Sequence, residues 1–590
     1  MTSELPVRRR TVIATGSAGA ALTTFAGGAG TLGAAADDSE SPRRRAGRRY
    51  FAHGVASGDP MPRQVVIWTR VTPTAAARPG SGRGPQVTVT WEVSTRRDFR
   101  RIQRRGAVVT SAARDHTVKV DVAGLKPARW YYYRFGFRGT HSRTGRFRTA
   151  PAAGARPRNL RFGVVSCTNW QAGWFAAYRG LARRDDLHAV LHLGDYLYEY
   201  GPGEYGYGST DRDIRTHDPR HEMVSLSDYR RRHAQYKTDP DLQALHAKYP
   251  WIVTWDDHEV TNDQWQGGAE NHQADEGDYH RRRARAHRAY DEWMPVRMSG
   301  SARLGDGTRL YRRLTFGRLA EISMLDLRSY RSAPVETALP SPVPSADAGV
   351  SDPRRTITSA AQLRWLKESL TRPQAFWKVI GNPVMISPVT FAQLPADLIG
   401  PINDVTGLLP DDGLPYNVDQ WDGYTADRQR ILAHIRDHHV QNALFVTGDI
   451  HSGWAAEVPY DVGTYPLSGA GAVEFVCTSV TSNNLKDITG TPAHTTSTAV
   501  EATILANNRH IKYLNFDDHG FSVLDLDAKR AQMDWFVIGD RADRQTSITY
   551  SRSFLTVAAS NRVEETFVPL HRHRPGRSSG DARPVDGGAS

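Results

Sequence analysis

Three short runs of this chain combine Asp, His and Tyr side chains that could hold metal ions. They are GDYLYEY at residues 194–200, WDDHEVTND at residues 255–263 and GDIHSGW at residues 448–454. Carboxylates, phenols and imidazoles all bind hard or borderline cations. Because each run follows an apolar stretch, we predict that the three runs form one divided metal site.

The elements that must position these runs are short apolar strands. Five apolar runs each end beside a possible ligand: residues 160–166, 187–193, 251–254, 377–380 and 443–447. Such runs are typical of buried strands in α/β proteins, whose ligands gather at the carboxyl ends of the strands. We therefore predict five strand ends that present their ligands at one rim.

One face of the predicted site suits iron. Asp195 and Tyr198 are three residues apart, so a single turn can aim a carboxylate and a phenolate at the same point. A phenolate favours a highly charged ion such as Fe(III), and the thiolate of Cys167 and the imidazole of His451 are acceptable to iron.

Oxygen donors dominate the other face. Asp257, Asp449 and Asn382 suit a second ion such as calcium or magnesium. Two ions that share Asp195 would lower the pKa of a water molecule and neutralise the oxygens of a phosphate centre. His258 directly follows Asp257 and is the candidate to stabilise the transition state or to protonate the leaving oxygen.

These residues also have structural interpretations. Asp195 alone fits a helix cap or turn, and Tyr198 alone fits an aromatic packing stripe with its neighbouring tyrosines. Asp256 and Glu259 are better explained as caps or as partners that orient the ligands than as ligands themselves. The joint occurrence of the motifs favours the metal site.

Two cysteines occur in the whole chain, Cys167 and Cys477. An even count in an exported protein allows a disulfide, but sequence spacing does not establish that the two are close. We expect Cys167 to be a metal ligand and Cys477 to be a buried thiol, with the disulfide left as the alternative.

Composition narrows the classes of function. The chain has 590 residues and 39% hydrophobic content, and about 150 residues per domain predicts roughly two to four domains. The net charge is +13, but basic residues are scattered among acids and no reading helix or aromatic platform is evident. We expect attraction of an anionic substrate or surface rather than specific nucleic-acid binding. No apolar span beyond the leader is long enough to cross a bilayer.

The first 36 residues have the features of a twin-arginine signal peptide. Arg8, Arg9 and Arg10 precede a weakly apolar stretch rich in Ala, Gly and Thr, and Ala34-Ala35-Ala36 precede Asp37. This pattern predicts export of the folded protein and a mature chain that begins near Asp37. A basic, unstructured N-terminus is the alternative.

Pattern changes along the chain predict the remaining organisation. Residues 37–49 are expected to be a disordered leader, and β-branched and aromatic runs in residues 50–150 predict an immunoglobulin-like or fibronectin-like β-sandwich. Residues 151–158 form the linker, and strands alternate with helices in residues 159–560. The polar tail, residues 561–590, is expected to be disordered. Helices are predicted at residues 227–246, 279–294 and 359–370, and long loops at 332–353 and 393–422.

Seven ordered motifs together resemble the PhoD-type alkaline phosphatases. They are FAHGVASGDPMPRQVVIWTRV at residues 51–71, VVSCTNW, GDYLYEY, WDDHEVTND, GNPVM, GDIHSGW and HIKYLNFDDHGF at residues 510–521. The resemblance covers nearly the whole chain after the leader. It implies an N-terminal β-sandwich and an α/β metallophosphatase domain of calcineurin-like type, a β-sandwich core flanked by helices, related to purple acid phosphatases and holding iron and calcium.

The resemblance also implies roles for individual residues. The implied ferric iron ligands are Cys167, Asp195, Tyr198 and His451, and the implied calcium ligands are Asp195, Asp257 and Asp449, with Asn382 as a further donor. The run Asp257-His258-Glu259 stands where the wider metallophosphatase pattern has an Asn-His-Glu/Asp run with a catalytic His. Asn262 is a candidate oxygen donor or substrate contact.

One position departs from the family pattern. Some members have Arg-Gly-Tyr where this chain has His519-Gly520-Phe521, so a basic contact with substrate there is either His519 or absent. The preference between monoesters and diesters depends on such contacts.

Together these features predict a secreted or envelope-located phosphoesterase that hydrolyses phosphate esters, most simply an alkaline phosphatase. Two alternatives stay open: a phosphodiesterase or phospholipase D-like enzyme acting on anionic lipid with the same site, and a binding or adhesion protein in which the β-sandwich does the work. The expected partners are phosphate esters, anionic phospholipid and the twin-arginine export machinery.

Overall fold

The computed structural model describes Gly47 and residues 49–299, 309–335, 348–391 and 414–570. The predicted signal peptide, most of the predicted leader and the tail beyond residue 570 lie outside the described residues, as do large parts of the two predicted loops. No helix in these described ranges is both long and apolar enough to cross a membrane.

The helices form where caps and apolar spacing favour them. We number them α1 to α8 in chain order: Ala176–Ala182, Leu226–Tyr236, Pro240–Lys248, Tyr279–Trp293, Ser359–Leu370, Thr425–Asp437, Leu485–Thr489 and Thr496–Asn507. The predictions near 279–294 and 359–370 are confirmed. The single helix predicted at residues 227–246 is wrong, because Asp239 caps a new helix whose first residue is Pro240. Proline has no N–H to continue the preceding helix but fits the first position of the next one.

The strands are numbered β1 to β24. The first twelve are Val55–Gly58, Val65–Arg70, Val87–Ser94, Ile102–Thr110, Thr117–Val122, Trp130–Phe137, Thr140–His141, Gly145–Arg148, Asn159–Val165, Ala189–Leu193, Pro250–Thr254 and Arg312–Phe316. The other twelve are Ala320–Met324, Trp377–Asn382, Thr390–Phe391, Leu414–Pro415, Ala443–Thr447, Gly453–Pro459, Ala470–Val476, Ile511–Asn515, Gly520–Asp527, Arg530–Ile538, Ile548–Val557 and Glu564–Glu565.

Two large sheets carry the five predicted strand ends. The ten-stranded sheet runs β24-β23-β22-β21-β9-β10-β11-β1-β2-β5, and the seven-stranded sheet runs β12-β13-β14-β17-β19-β18-β20. Strands β9, β10 and β11 are parallel neighbours in the first sheet, and β13, β14 and β17 are parallel neighbours in the second. All five predicted strands are confirmed.

The two sheets share one apolar core, with helices outside. Side chains of β9 and β10 from the ten-stranded sheet meet those of β13, β14, β17 and β19 from the seven-stranded sheet in a single buried cluster. A second cluster packs α1 to α4 against the ten-stranded sheet, and a third packs α5 and α6 against the seven-stranded sheet. The result is a helix–sheet–sheet–helix arrangement, which buries both faces of each parallel segment.

The N-terminal region is less separate than predicted. Strands β3, β4, β6, β7 and β8 form their own five-stranded sheet, and one buried cluster joins it to β1, β2 and β5. Those last three strands extend the ten-stranded sheet, since β1 pairs in parallel with β11. The sandwich therefore shares one layer with the rest of the fold, while the predicted boundary at residue 150 stays a prediction.

Two predictions of disorder are corrected at their edges. Phe51 N donates to Gly47 O at 3.0 Å, so a turn forms at the end of the predicted leader. Beyond residue 561, β24 pairs with β23, and Leu570 N donates to Asp534 Oδ2 at 2.7 Å. Backbone pairing and burial of Leu570 therefore extend the ordered chain to residue 570.

Candidate metal centre

The strand ends bring a thiol, a carboxylate and an imidazole together. The ligand atoms of Cys167, Asp195 and His451 all lie within 4.8 Å of one another. Cys167, Asp195 and His451 have φ values of 57°, 55° and 54°, and Asp449 has 64°. Non-glycine residues rarely adopt this left-handed conformation, and such strain is concentrated at functional sites.

Tyr198 joins this first group through its hydroxyl. It donates to Asp195 Oδ2 at 2.9 Å and lies 3.2 Å from His451 Nε2. The other ring nitrogen, His451 Nδ1, lies 2.7 Å from the carbonyl of Asn483. Donation from Nδ1 to that carbonyl leaves Nε2 as the nitrogen with a free lone pair. Burial lowers the pKa of His451 to about 4, so the ring is neutral, as a metal ligand must be.

Asp195 Oδ1 is buried and has no hydrogen-bond partner among the described residues. Burial, together with nearby acids, raises the pKa of Asp195 well above its ordinary value, although His258 opposes the shift. An unpartnered buried carboxylate oxygen is costly unless a cation or a proton satisfies it. Asp195 therefore fits a metal ligand.

Both cysteines are buried free thiols. Ser166 Oγ lies between them, 3.1 Å from Cys167 Sγ and 3.6 Å from Cys477 Sγ. Burial and the negative charge of Asp195 raise the pKa of Cys167 well above that of an ordinary thiol. A thiolate at this position needs a cation beside it, as metal coordination would supply.

A second group surrounds Asp257. It combines with Asp256 and Asp449 in one cluster and with Asp263 and Asp419 in another, each with ligand atoms within 4.8 Å. We call Asp195 and these five aspartates the acidic rim. Burial would raise the pKa of Asp257, but Arg328 and His258 outweigh it and hold that pKa at about 2.

Two buried arginines neutralise part of the acidic rim: Arg331 pairs with Asp419 at 2.7 Å, and Arg328 makes the larger set of contacts. Its guanidinium is fully buried and binds both oxygens of Asp256, at 2.5 and 2.8 Å. It also reaches Asp419 at 2.6 Å and Asp449 at 3.1 Å. Arg328 thus holds three carboxylates from three separate segments in one arrangement.

His258 is oriented by a buried glutamate. His258 Nδ1 lies 2.8 Å from Glu199 Oε2, and its ring stacks on Tyr198 with centroids 4.1 Å apart. Burial alone would lower the pKa of His258, but Glu199, Asp257 and Asp195 raise it well above the ordinary value. The imidazolium form places its second proton on Nε2, which makes no hydrogen bond with the described residues.

Glu259 organises the strand ends from behind. Its carboxylate accepts hydrogen bonds from the backbone N–H groups of Asp195 at 3.1 Å, Tyr196 at 2.7 Å and Asp256 at 2.9 Å. One side chain therefore joins the turn after β10 to the turn after β11. This geometry matches the predicted orienting role and is unlike that of a ligand.

Asn382 is fully buried at the end of β14 and is already engaged by hydrogen bonds. Its oxygen accepts from Trp421 Nε1 at 3.1 Å, and its amide donates to Val384 O at 2.5 Å and Thr447 Oγ1 at 3.1 Å. Direct ligation by Asn382 stays a prediction. The observed contacts join β14 to β17 beside Asp449.

The two predicted substrate contacts differ in accessibility. Asn262 is half-buried, and its side chain donates to Glu270 Oε2 at 3.1 Å. His519 is buried, with ring nitrogens 2.8 Å from Asp487 Oδ2 and 2.8 Å from Ser479 Oγ. Burial lowers the pKa of His519 to about 3. Because both ring nitrogens are engaged by Ser479 and Asp487 and the ring is neutral, His519 is better explained as a structural contact between these segments than as a contact with substrate.

Sequence reasoning missed several members of the site. Glu199 and Asp263 lie inside motifs that the sequence analysis quoted, so a signal was present. Arg328 follows a sixth apolar strand, β13, and an arginine shortly after such a strand is the sequence signal for it. Asp419 lies in a predicted loop, and no local pattern indicates its contact with Arg328.

The donor set fits metal ions. The first group offers sulfur, nitrogen and oxygen donors, and the second offers carboxylates alone, which are the preferences of a transition metal and of a hard divalent cation respectively. Asp195 belongs to both groups, since it also clusters with Asp257 and His258, and its Oδ1 has no hydrogen-bond partner among the described residues.

Comparisons with known proteins agree with this geometry. The family model described as PhoD-like phosphatase matches residues 162–535, and the model of its N-terminal domain matches residues 35–151. Alkaline phosphatase D of Bacillus subtilis (strain 168) is 37% identical over 466 residues, 79% of this chain and 74% of the relative. A solved structure described as PhoD has a TM-score of 0.76 at 33% identity and covers 88% of this chain and 93% of its own. The chain belongs to the PhoD-like phosphatase family.

Proposed function

We propose that this enzyme is a metal-dependent alkaline phosphatase that releases phosphate from organic monoesters. The observation that carries the proposal is the pair of donor groups that meet at Asp195, with its buried and unpartnered Oδ1. The curated relative named alkaline phosphatase D supports the same activity. The helix–sheet–sheet–helix core supports the metallophosphatase fold that the sequence predicts.

The first donor group would hold ferric iron through Cys167, Asp195, Tyr198 and His451. The second would hold calcium, or another divalent ion, through Asp195, Asp257 and Asp449, with Asn382 as a further donor. When bound, the ions would supply Lewis acidity toward a water molecule and toward the phosphoryl oxygens.

The chain's own groups orient the reaction. Glu199 accepts from His258 Nδ1 and so directs the Nε2 proton away from the protein scaffold. That proton can be donated to the leaving alkoxide, which makes His258 the general acid. Arg328 keeps the carboxylates of Asp256 and Asp449 fixed, and Glu259 keeps the turns of Asp195 and Asp256 in register.

A phosphodiesterase or phospholipase D-like activity is the second candidate, because the same donors could bind a diester. The two activities separate in one assay: hydrolysis of p-nitrophenyl phosphate and of bis-p-nitrophenyl phosphate across alkaline pH. We expect the monoester to be turned over with the higher kcat/KM. A preference for the diester would contradict the proposal and favour lipid or other diester substrates.

Metal content tests the assignment of the ions. We expect about one iron per chain, together with calcium, in the mature protein by mass spectrometry, and a visible band from charge transfer between Tyr198 and Fe(III). Tyr198→Phe should abolish the band. Tyr200→Phe is the matched control, since the Tyr200 hydroxyl makes no hydrogen bond with the described residues. Zinc or magnesium without colour would overturn the iron assignment.

We also propose export by the twin-arginine pathway and a location outside the cell or at its envelope, where anionic phospholipid is a possible partner. The support is the Arg8-Arg9-Arg10 leader, which lies outside the described residues. Replacing Arg8 and Arg9 with Lys should retain the protein inside the cell. Unchanged export would contradict this part of the proposal.

The rival proposal of a non-catalytic binding protein makes a different prediction. A binding protein would keep its binding activity when Asp195 is replaced with Ala, because that activity would lie in the β-sandwich. An enzyme would lose turnover.

A further inference from the structure

A second charged cavity lies at the free edge of the seven-stranded sheet. It has a volume of about 210 Å³, and its walls include Arg297, Arg309, Arg312 and Arg313. We call it the arginine cavity. Arg312, at the start of β12, pairs with Met324 at the end of β13. The cavity therefore lies at the carboxyl end of the sheet, like Asp449, but three strands away, or about 14 Å at the usual strand spacing.

Two of its four arginines are neutralised by carboxylates. Arg312 binds both oxygens of Asp59, at 2.9 and 2.6 Å. Arg297 binds both oxygens of Asp121, at 2.8 and 2.5 Å, and its backbone N–H donates to Asp59 at 2.8 Å. In these two bidentate pairs the positive charges of Arg297 and Arg312 are balanced by the negative charges of Asp121 and Asp59.

Neither Arg309 nor Arg313 pairs with a carboxylate of the described residues. The Nε atom of each is buried and makes no hydrogen bond with the described residues. Glu321, the carboxylate that acts most on Arg313, is paired with Arg372 at 3.2 Å. Arg313 is half-buried, and this partial burial lowers its pKa, although Glu321 opposes the shift.

Aromatic rings hold both guanidinium groups in place. The guanidinium carbon of Arg309 lies 3.9 Å from the ring centre of Tyr311, and that of Arg313 lies 4.9 Å from the ring centre of Trp365. The two rings are themselves in edge contact, with centroids 5.1 Å apart. Stacking fixes the plane of a guanidinium and leaves its edge N–H groups available to an oxyanion.

From these contacts we propose that the arginine cavity is a second anion site, which binds a small dianionic oxyanion such as inorganic phosphate. Two guanidinium groups without a carboxylate partner among the described residues, each held over an aromatic ring, match two negative charges spread over oxygens. The site is separate from the catalytic centre and its occupancy requires no turnover, so it can be tested whether or not the proposed phosphatase activity is correct.

The test is equilibrium dialysis of the mature protein against labelled inorganic phosphate, with Arg309→Gln/Arg313→Gln as the variant. Arg318→Gln is the matched control, because Arg318 is an exposed arginine on the same β12–β13 hairpin. We expect the double variant to bind one phosphate fewer than the wild-type protein and the control: one instead of two if the metal centre also binds phosphate, and none instead of one if it does not. Circular dichroism establishes that each variant is folded.

Single variants sharpen the result. Arg309→Gln and Arg313→Gln should each weaken the second site about tenfold or more, the usual effect of losing a charge-assisted hydrogen bond. The same number of phosphate sites in the wild-type protein and in the double variant would overturn the proposal. Equal weakening by Arg318→Gln, or displacement by chloride at the same ionic strength, would also overturn it, because general attraction to a basic surface would then explain the binding.

Discussion

The acidic rim and the arginine cavity lie at the same end of the fold and carry opposite surplus charge. In the acidic rim, six aspartates outnumber the two buried arginines that pair with them, Arg328 and Arg331, and Asp195 Oδ1 has no hydrogen-bond partner among the described residues. In the arginine cavity, four arginines meet two aspartates, and Arg309 and Arg313 have no carboxylate partner among the described residues. An unpaired charge that has lost part of its water attracts an ion of the opposite sign, so we expect cations at the rim and an anion at the cavity.

The largest difference between the acidic rim and the arginine cavity is expected when Asp195, the carboxylate shared by both donor groups, is removed. Asp195→Ala should reduce kcat/KM for p-nitrophenyl phosphate about a thousandfold or more, since it removes the carboxylate common to both donor groups. The same variant should lose iron and calcium, measured by mass spectrometry, while phosphate binding in the arginine cavity persists. Asp98→Ala, at an exposed position in the N-terminal region, is the control and should keep full activity. Retained activity in Asp195→Ala would refute the proposed site.

The second contrast concerns the buried cation of the rim. Arg328→Met should destabilise the folded protein by about 3–5 kcal/mol, because it leaves Asp256 and its neighbours as uncompensated buried charges. Urea denaturation measures the change, and Arg318→Met provides an exposed arginine as the control, with a change below about 0.5 kcal/mol. The loss should be larger in the presence of a chelator, when Arg331, which pairs with Asp419 at 2.7 Å, is the cation that remains near the carboxylates. A change below about 1 kcal/mol would mean that Arg328 does not neutralise the rim.

Removal of the metal ions should destabilise the wild-type protein but not a variant whose rim lacks Asp195. A ligand present at about 100 times its Kd stabilises a protein by about 2.7 kcal/mol, so chelation should lower the thermal midpoint of the wild-type protein measurably. Asp195→Ala should show little response to the chelator, because its rim no longer holds the ions. An equal response in both proteins would place the stabilising metal elsewhere in the chain.

How far apart two interacting residues lie in the sequence decides whether their interaction could be predicted from it. The five ligand-bearing strands were predictable because a buried strand is a short apolar run and its ligand follows within a few residues. The contact of Arg328 with Asp256 joins residues 72 positions apart in the sequence. The contact of Arg313 with Trp365 depends on how α5 packs against β12. No local sequence pattern indicates either contact. The same holds for the pairing of β1 with β11, which joins the N-terminal sandwich to the ten-stranded sheet.

The smallest effect, and the most direct test of the comparison, is expected at the arginine cavity itself. Arg313→Met removes a cation that has no carboxylate partner, so it should change the free energy of unfolding by less than about 1 kcal/mol in phosphate-free buffer. The lost stacking on Trp365 is offset by relief of repulsion from Arg309. Arg328→Met, the same substitution at a paired arginine, supplies the contrast. If Arg313→Met proved as destabilising as Arg328→Met in urea denaturation, Arg313 would have a protein partner, and the charge that we assign to a bound anion would already be neutralised.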